Sequence, residues 1–249
     1  MTLPTLQKTK EQLDQEKQTV ARAAVGWVKS GMRLGLGTGS TANYFITFLG
    51  ERVRSEGLRI EAIASSNESE TRARKEGIPL IKPRRGLQLD LGVDGADEIA
   101  PDLSLIKGGG GALLREKVVA RACRYFLVIA DSSKRVERLG AFPLPVEVVP
   151  FALPWVMDQI AELGAEPIQR MTANQPFLTD QQNCVLDCHF RVIRDPVSLA
   201  ARLKDIPGIA EHGLFVGYAR AALVGDGKDV LVLRAGQPPR PASDFNDLP

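Results

Sequence analysis

Residues 33–50, RLGLGTGSTANYFITFLG, decide the fold. The run from Arg33 to Gly37 is short and mostly apolar, the pattern of a buried strand. Glycines 35, 37 and 39 make a turn, and Tyr44, Phe45, Phe48 and Leu49 then recur at helical spacing. Strand, glycine turn and helix together make the opening half of a βαβ unit.

The pattern repeats outward from there. Upstream, residues from about Glu11 to Lys29 fit a helix with Leu13, Val20, Ala23, Ala24 and Trp27 on one face, stopped by Gly31. Downstream comes a strand over Leu58 to Ala64. Ser65-Ser66-Asn67-Glu68 has capping-box spacing for a helix ending at Gly77. Further strands are expected over Pro79 to Lys82, Leu89 to Val93 and Tyr125 to Ala130, with a helix over Ala112 to Ala122. This alternation predicts an α/β protein: a mostly parallel, Rossmann-like sheet flanked by helices, with ligands at the carboxyl ends of the strands.

Pro143, Pro145, Pro150 and Pro154 mark a change of regime. From Val146 to Phe215 the order is strand, helix, two strands, helix, strand, as in a smaller ferredoxin-like α+β domain. Ala221 to Val224 and Asp229 to Leu233 read as strands returning to the first unit. The expected division is a larger α/β catalytic domain over 1–139 and 216–249, and a small lid or oligomerisation domain over 140–215. Residues 236–249, rich in Pro, Asp and Ser, are expected to lack order.

Composition limits the function. The 249 residues are 44% hydrophobic and 25% charged, with a net charge of only +2 and no massed basic segment, which argues against nucleic acid as a partner. Arg72, Arg74 and Lys75 fit a solvated helix face. Cys123, Cys184 and Cys188 are odd in number and lack C-x-x-C spacing, so a reducing, cytoplasmic setting is expected. No apolar run approaches the roughly 20 residues of a membrane span, and the N-terminal residues show no targeting pattern. His189 and His212 lack ligand-like neighbours, so no metal site is proposed on them.

Four segments fall where strands should end. Gly35-Leu36-Gly37-Thr38-Gly39-Ser40-Thr41 offers free amides, hydroxyls and a helix N-terminus, which suit a phosphate. Ser40 breaks the dinucleotide G-x-G-x-x-G pattern, and the Walker Gly-Lys pair is missing. Asp94-Gly95-Ala96-Asp97-Glu98 crowds acids at a turn, which fits a ligand-facing site, a metal site or a solvated turn. Lys107 is followed by Gly108 to Gly111, four glycines that are conformationally costly unless backbone amides must line a site. Glu116 lies about one helical turn beyond them and can reach back or pair with its neighbours. Asp131-Ser132-Ser133-Lys134 would bring a cation to the same rim, or else form a solvated turn.

Together GLGTGSTA (35–42), VDGADEI (93–99), KGGGGALLREK (107–117) and DSSK (131–134) resemble the type A ribose-5-phosphate isomerase family. FPLPVEVVP (142–150), NCVLD (183–187) and IPGI (206–209) extend the resemblance over about Lys10 to Leu233. It implies a homo-oligomeric, cofactor-independent aldose–ketose isomerase acting on a small sugar phosphate. Thr38, Gly39, Ser40, Thr41 and Lys134 would bind phosphate, with Lys17 as a further contact. Asp94, Gly95, Ala96, Asp97 and Lys107 to Gly110 would line the reacting end, and Glu116 matches the proton-transferring carboxylate. The alternatives are a sugar-phosphate-binding regulatory domain and a CoA- or nucleotide-dependent transferase. The regulator lacks a helix-turn-helix segment before Glu11, and the transferase lacks both fingerprints.

Overall fold

The computed structural model describes residues 8–244; expectations for residues 1–7 and 245–249 lie outside the described residues. The first half alternates as α1 (Lys10–Gly26), β1 (Arg33–Leu36), α2 (Ser40–Glu56), β2 (Glu61–Ala64), α3 (Asn67–Lys75) and β3 (Leu89–Asp94). Two short strands follow, β4 (Glu98–Ile99) and β5 (Leu105–Ile106), then α4 (Leu113–Ala122) and β6 (Cys123–Ala130). The next stretch holds β7 (Leu144–Val148), α5 (Leu153–Glu162), β8 (Glu166–Gln169), β9 (Met171–Thr172), β10 (Gln175–Pro176) and β11 (Cys184–His189). Then come α6 (Pro196–Lys204), β12 (Ile209–His212), β13 (Leu214–Phe215), β14 (Ala221–Asp226), β15 (Asp229–Leu233) and β16 (Arg240–Pro241).

The main sheet has the order β16-β15-β14-β6-β3-β1-β2, parallel from β2 to β14. The chain goes from β1 to β2 on one side and then to β3 on the other, so the order reverses at β1. That switch point opens a crevice at the carboxyl ends of β1 and β3. Both sheet faces are covered. Leu127 and Ile129 of β6 join Val20, Phe45 and Leu49 under α1 and α2, while Phe126 and Val128 join Leu105, Ala120 and Phe215 on the far side. This two-sided burial is why β6 reads as a continuous apolar run.

A second sheet, ordered β12-β7-β11-β8 and antiparallel throughout, buries Val146 and Leu186 against Val156, Ile160 and Leu203 of α5 and α6. Its order and helix placement have the ferredoxin-like arrangement. Between the two sheets sits a three-stranded one, β13-β5-β4, with Phe215 and Leu105 in one core and Leu214 and Ile106 in the other. Among the described residues no helix is long and apolar enough to cross a membrane.

Three local expectations change. Pro79 to Lys82 contributes one bridge, Leu80 to Ala62, because Pro79 has no amide to donate and Pro83 closes the run. The N-cap of α3 is Ser66, which accepts from the Ser69 amide, one residue later than the capping-box spacing suggests; Glu68 instead accepts from Asn43. After Leu233 the chain turns back, and Arg240 and Pro241 pair with β15 before a short 3-10 turn over Ala242–Asp244. Proline is tolerated there because β16 is an edge strand.

One buried carboxylate ties the periphery together. Glu16 of α1 is fully buried; its Oε2 accepts from the Ser132 amide at 2.9 Å and its Oε1 from the Gly227 amide at 2.8 Å, beside the Lys8 ammonium. Burial raises its pKa, but the Lys8 and backbone bonds outweigh it and hold the group below the ordinary carboxylate range. Glu16→Ala should destabilise the protein by about 3 kcal/mol, since it empties a fully buried site and removes the carboxylate that the Ser132 and Gly227 amides and the Lys8 ammonium share. Urea unfolding at pH 7 measures this.

Candidate active site

The loops after β1, β3, β5 and β6 meet at the crevice. One cleft is lined by Lys17, residues 38–41, 95–97 and 107–110, Glu116 and Lys134. Of the catalytic and binding candidates named from the sequence, only Asp94 is absent from the lining, because it lies beneath the floor, 2% exposed.

The floor is an ion cluster. Lys107 is 2% exposed, and its Nζ lies 3.1 Å from Asp94 Oδ2 and 3.2 Å from Glu116 Oε1 while donating to the Gly95 carbonyl at 2.6 Å. The ring of Phe215 faces the same ammonium at 5.5 Å. Asp94 Oδ1 accepts from the amides of Thr38, at 3.0 Å, and Gly95, at 2.7 Å. Gly37 permits this approach, since a Cβ there would lie 2.2 Å from Asp94 Oδ1. Asp97 Oδ2 accepts from the Gly109 amide at 2.8 Å and so joins the acidic turn to the glycine loop.

Two carboxylates share one ammonium, which sets their protonation. Burial opposes the charge on Lys107, but the negative charges of Asp94 and Glu116 outweigh it and hold its pKa above the ordinary value. Burial, then the Asp94 charge, pushes Glu116 up to about 8 against the pull of Lys107. Burial likewise raises Asp94. Glu116 Oε2 is buried without a hydrogen-bond partner among the described residues.

The other end of the cleft suits an anion. Gly39, with φ of 101°, leads into the N-terminus of α2, where the first amides are unsatisfied. Lys17 reaches in from α1, 3.9 Å from Asp131 Oδ2, and Lys134 from the Ser132–Lys134 turn. The Thr38 hydroxyl is already engaged, with Ser65 Oγ at 2.8 Å, Ser66 Oγ at 2.9 Å and Ser69 Oγ at 3.2 Å. It therefore buttresses the turn from behind, leaving Ser40 and Thr41 as the hydroxyls at the helix start. These serines were not among the site residues expected from the sequence, although the Ser-Ser pair after β2 was a signal available there.

Arg170 was also missed. Its Nη1 donates to the carbonyls of Gly108 and Gly109 at 3.1 and 3.0 Å, and its other nitrogens grip Asp187. No local pattern marks it. Among the described residues no group of three or more His, Cys, Asp or Glu is arranged to hold a metal ion.

The raised pKa of Glu116 has a consequence for stability. A carboxyl whose folded pKa lies above its unfolded value of 4.5 favours folding below that value, and the benefit is lost as pH rises through about 8. Glu116→Gln removes this titration. Its melting temperature should gain on that of the unmodified protein between pH 5 and pH 9, a tenfold difference in proton affinity being worth about 1.4 kcal/mol. Thermal melts at pH 5, 7 and 9 check the sign.

The profile of the family described as ribose 5-phosphate isomerase A (phosphoriboisomerase A) matches residues 61–229. Ribose-5-phosphate isomerase A 1 of Oceanobacillus iheyensis is 44% identical over 88% of this chain and 98% of its own length. Ribose-5-phosphate isomerase A of Roseiflexus castenholzii is 49% identical over 84% of this chain and 90% of its own. Among solved structures, ribose 5-phosphate isomerase A from Methanocaldococcus jannaschii superposes with a TM-score of 0.84 at 40% identity, covering 88% of this chain and 97% of that one. A D-ribose-5-phosphate isomerase in complex with phospho-erythronic acid superposes with a TM-score of 0.86 at 33% identity, covering 89% and 99%. Matches of this extent, spanning nearly the whole of these relatives, mean that the chain belongs to the ribose 5-phosphate isomerase A family.

Proposed function

We propose that this chain interconverts D-ribose 5-phosphate and D-ribulose 5-phosphate through an enediolate, as a step of the non-oxidative pentose phosphate pathway. The observation that carries the reading is the Asp94–Lys107–Glu116 cluster, with its orphan Glu116 oxygen, across the cleft from a helix N-terminus and two lysines.

The phosphate docks on the amides of residues 39–41, the hydroxyls of Ser40 and Thr41, and the ammonium groups of Lys17 and Lys134. Anchoring there lets binding energy orient the sugar over the floor. Asp97, which lines the cleft, assists ring opening. Asp94, engaged through both oxygens, holds Lys107 in place. Glu116 as carboxylate takes the proton from C2 and returns it to C1, since the two carbons are adjacent, while Asp97 carries the hydroxyl proton from O2 to O1. Lys107 and the glycine-loop amides stabilise the oxyanion formed between those steps.

No cofactor enters this scheme. The cytoplasm is the proposed setting, supported by the unpaired Cys123, Cys184 and Cys188. We further infer a homo-oligomer, dimer or tetramer, with the 140–215 unit serving as lid and contact. Phe151, in the turn just before α5, and Trp155, on its first turn, 82% and 59% exposed with ring centroids 5.6 Å apart, support a contact at the start of α5. Sedimentation equilibrium would count the copies.

Purified protein incubated with ribose 5-phosphate and excess EDTA should form ribulose 5-phosphate at the rate seen without chelator. Glu116→Gln should cut kcat by about 10²–10⁴-fold and abolish exchange of the C2 hydrogen in D₂O. A folded Glu116→Gln enzyme that exchanges that hydrogen normally would remove Glu116 as the base. Lys134→Ala should act on binding, weakening the substrate by roughly 1.5–3 kcal/mol with kcat little changed. Phospho-erythronic acid, which places a carboxylate where the enediolate oxygens would form, should inhibit.

A further inference from the structure

We propose that Arg170 is a positioning residue for this reaction: by gripping the carbonyls of Gly108 and Gly109, it aims the Gly110 amide at the developing oxyanion. The inference rests on the isomerase reading and extends it to a residue outside the cleft lining.

In a trans peptide the carbonyl and the following N–H point to opposite sides of the bond. Arg170 Nη1 holds the Gly109 carbonyl at 3.0 Å, so the Gly110 N–H in the same plane is turned away from Arg170. Gly110 lines the cleft, and among the described residues no acceptor takes its amide. The preceding peptide is fixed at both ends: Arg170 holds the Gly108 carbonyl at 3.1 Å, and the Gly109 amide donates to Asp97 at 2.8 Å. A glycine loop with no side chains has many conformations of similar energy. Two carbonyl bonds from one planar guanidinium select one of them.

The guanidinium is itself held. Its Nε and Nη2 grip Asp187 of β11, and its carbon lies 5.6 Å from the centre of the Phe177 ring. That ring closes over Gly111, where a Cβ would come within 2.4 Å of it. The Arg170 amide donates to Val185, and its carbonyl accepts from Phe177. The antiparallel unit thus reaches across to brace the loop of the parallel one. A cation on the carbonyl side also polarises both peptides and makes their N–H groups better donors on the cleft side.

Lysine cannot substitute, because one ammonium cannot make the four bonds that Arg170 spreads over three nitrogens, two to the carbonyls and two to the oxygens of Asp187. Arg170→Ala should lower kcat about 10–100-fold, below the effect of deleting an oxyanion donor outright. KM for ribose 5-phosphate should stay within about threefold, because the phosphate anchor is untouched. Calorimetry should show phospho-erythronic acid weakened by a similar factor to kcat, while inorganic phosphate binds as before. Added guanidinium ion should restore part of the Arg170→Ala rate, and Arg170→Lys should recover stability but not kcat. If Arg170→Ala does not fold, Asp187→Asn, which loosens the fork, should show the same split between kcat and KM.

Unchanged kcat and analogue affinity in a folded variant would overturn the proposal. So would equal losses in kcat, KM and phosphate binding that follow the melting temperature, which is what a structural brace alone produces. Turnover by the unmodified protein tests the isomerase reading separately. An active parent with an undiminished Arg170→Ala variant removes only the role of Arg170.

Discussion

The ammonium of Lys107, enclosed between Asp94 and Glu116, is the contact on which the remaining geometry depends. A charge withdrawn from water costs several kcal/mol unless it is paired and hydrogen-bonded. Here that requirement draws four chain segments to one point. Gly37 after β1 gives Asp94 room, and the amides of Thr38 and Gly95 hold the carboxylate. The backbone of Lys107 is tied to Gly213 just before β13, so the three-stranded seam takes part as well. Glu116 arrives on the first turn of α4. One cation cannot neutralise two buried carboxylates, and the excess charge is relieved by raising their affinity for protons. The imbalance that weakens the folded state as pH rises therefore also raises the proton affinity of Glu116, which the proposed chemistry would use.

Topology separates the two ends of the cleft. The switch at β1 sends α2 to one side and β3 to the other, so a helix N-terminus and an acidic turn face each other across the crevice. Lys17 and Lys134 come from elements distant in sequence, α1 and the turn after β6. Glu16 joins those elements through the Ser132 amide, one residue before Lys17 and within the turn that carries Lys134. A buried carboxylate with no place in the proposed chemistry thus fixes the spacing of two cations on which phosphate recognition would depend.

What could be read from the sequence follows what is written locally. The long periodic segments α1, α2 and α4 and the apolar runs β3 and β6 carry their own signal. Strands of two residues, such as β4, β5 and β13, have no period to detect, so the seam between the sheets was invisible. Ser65 and Ser66 are both competent caps, and spacing alone chose the wrong one. The glycine-rich and acidic turns could be recognised as candidate site segments, but the Thr38 hydroxyl could not be assigned. Its partners lie about 30 residues away in a serine cluster behind the turn. Arg170 is the extreme case. It gains meaning only from Asp187, 17 residues on, and from a loop about 60 residues back.

The four glycines after Lys107 show how these constraints divide within one loop. Gly108 and Gly111 have φ of 103° and 79°, a region that side chains disfavour, and Gly111 also lies under Phe177. Gly109 is crowded by the Asp97 carboxylate at 2.7 Å. Gly110 is different: its φ is not positive, and a Cβ there would find nothing nearer than the Thr38 methyl at 3.9 Å. Folding alone does not require glycine at that position. Gly110 lines the cleft, and a bare backbone there keeps open the space that the proposed substrate would use. The residue that the fold leaves free is thus the one whose amide Arg170 turns toward the cleft, which explains why a rigid brace and an unobstructed donor occur together in this loop.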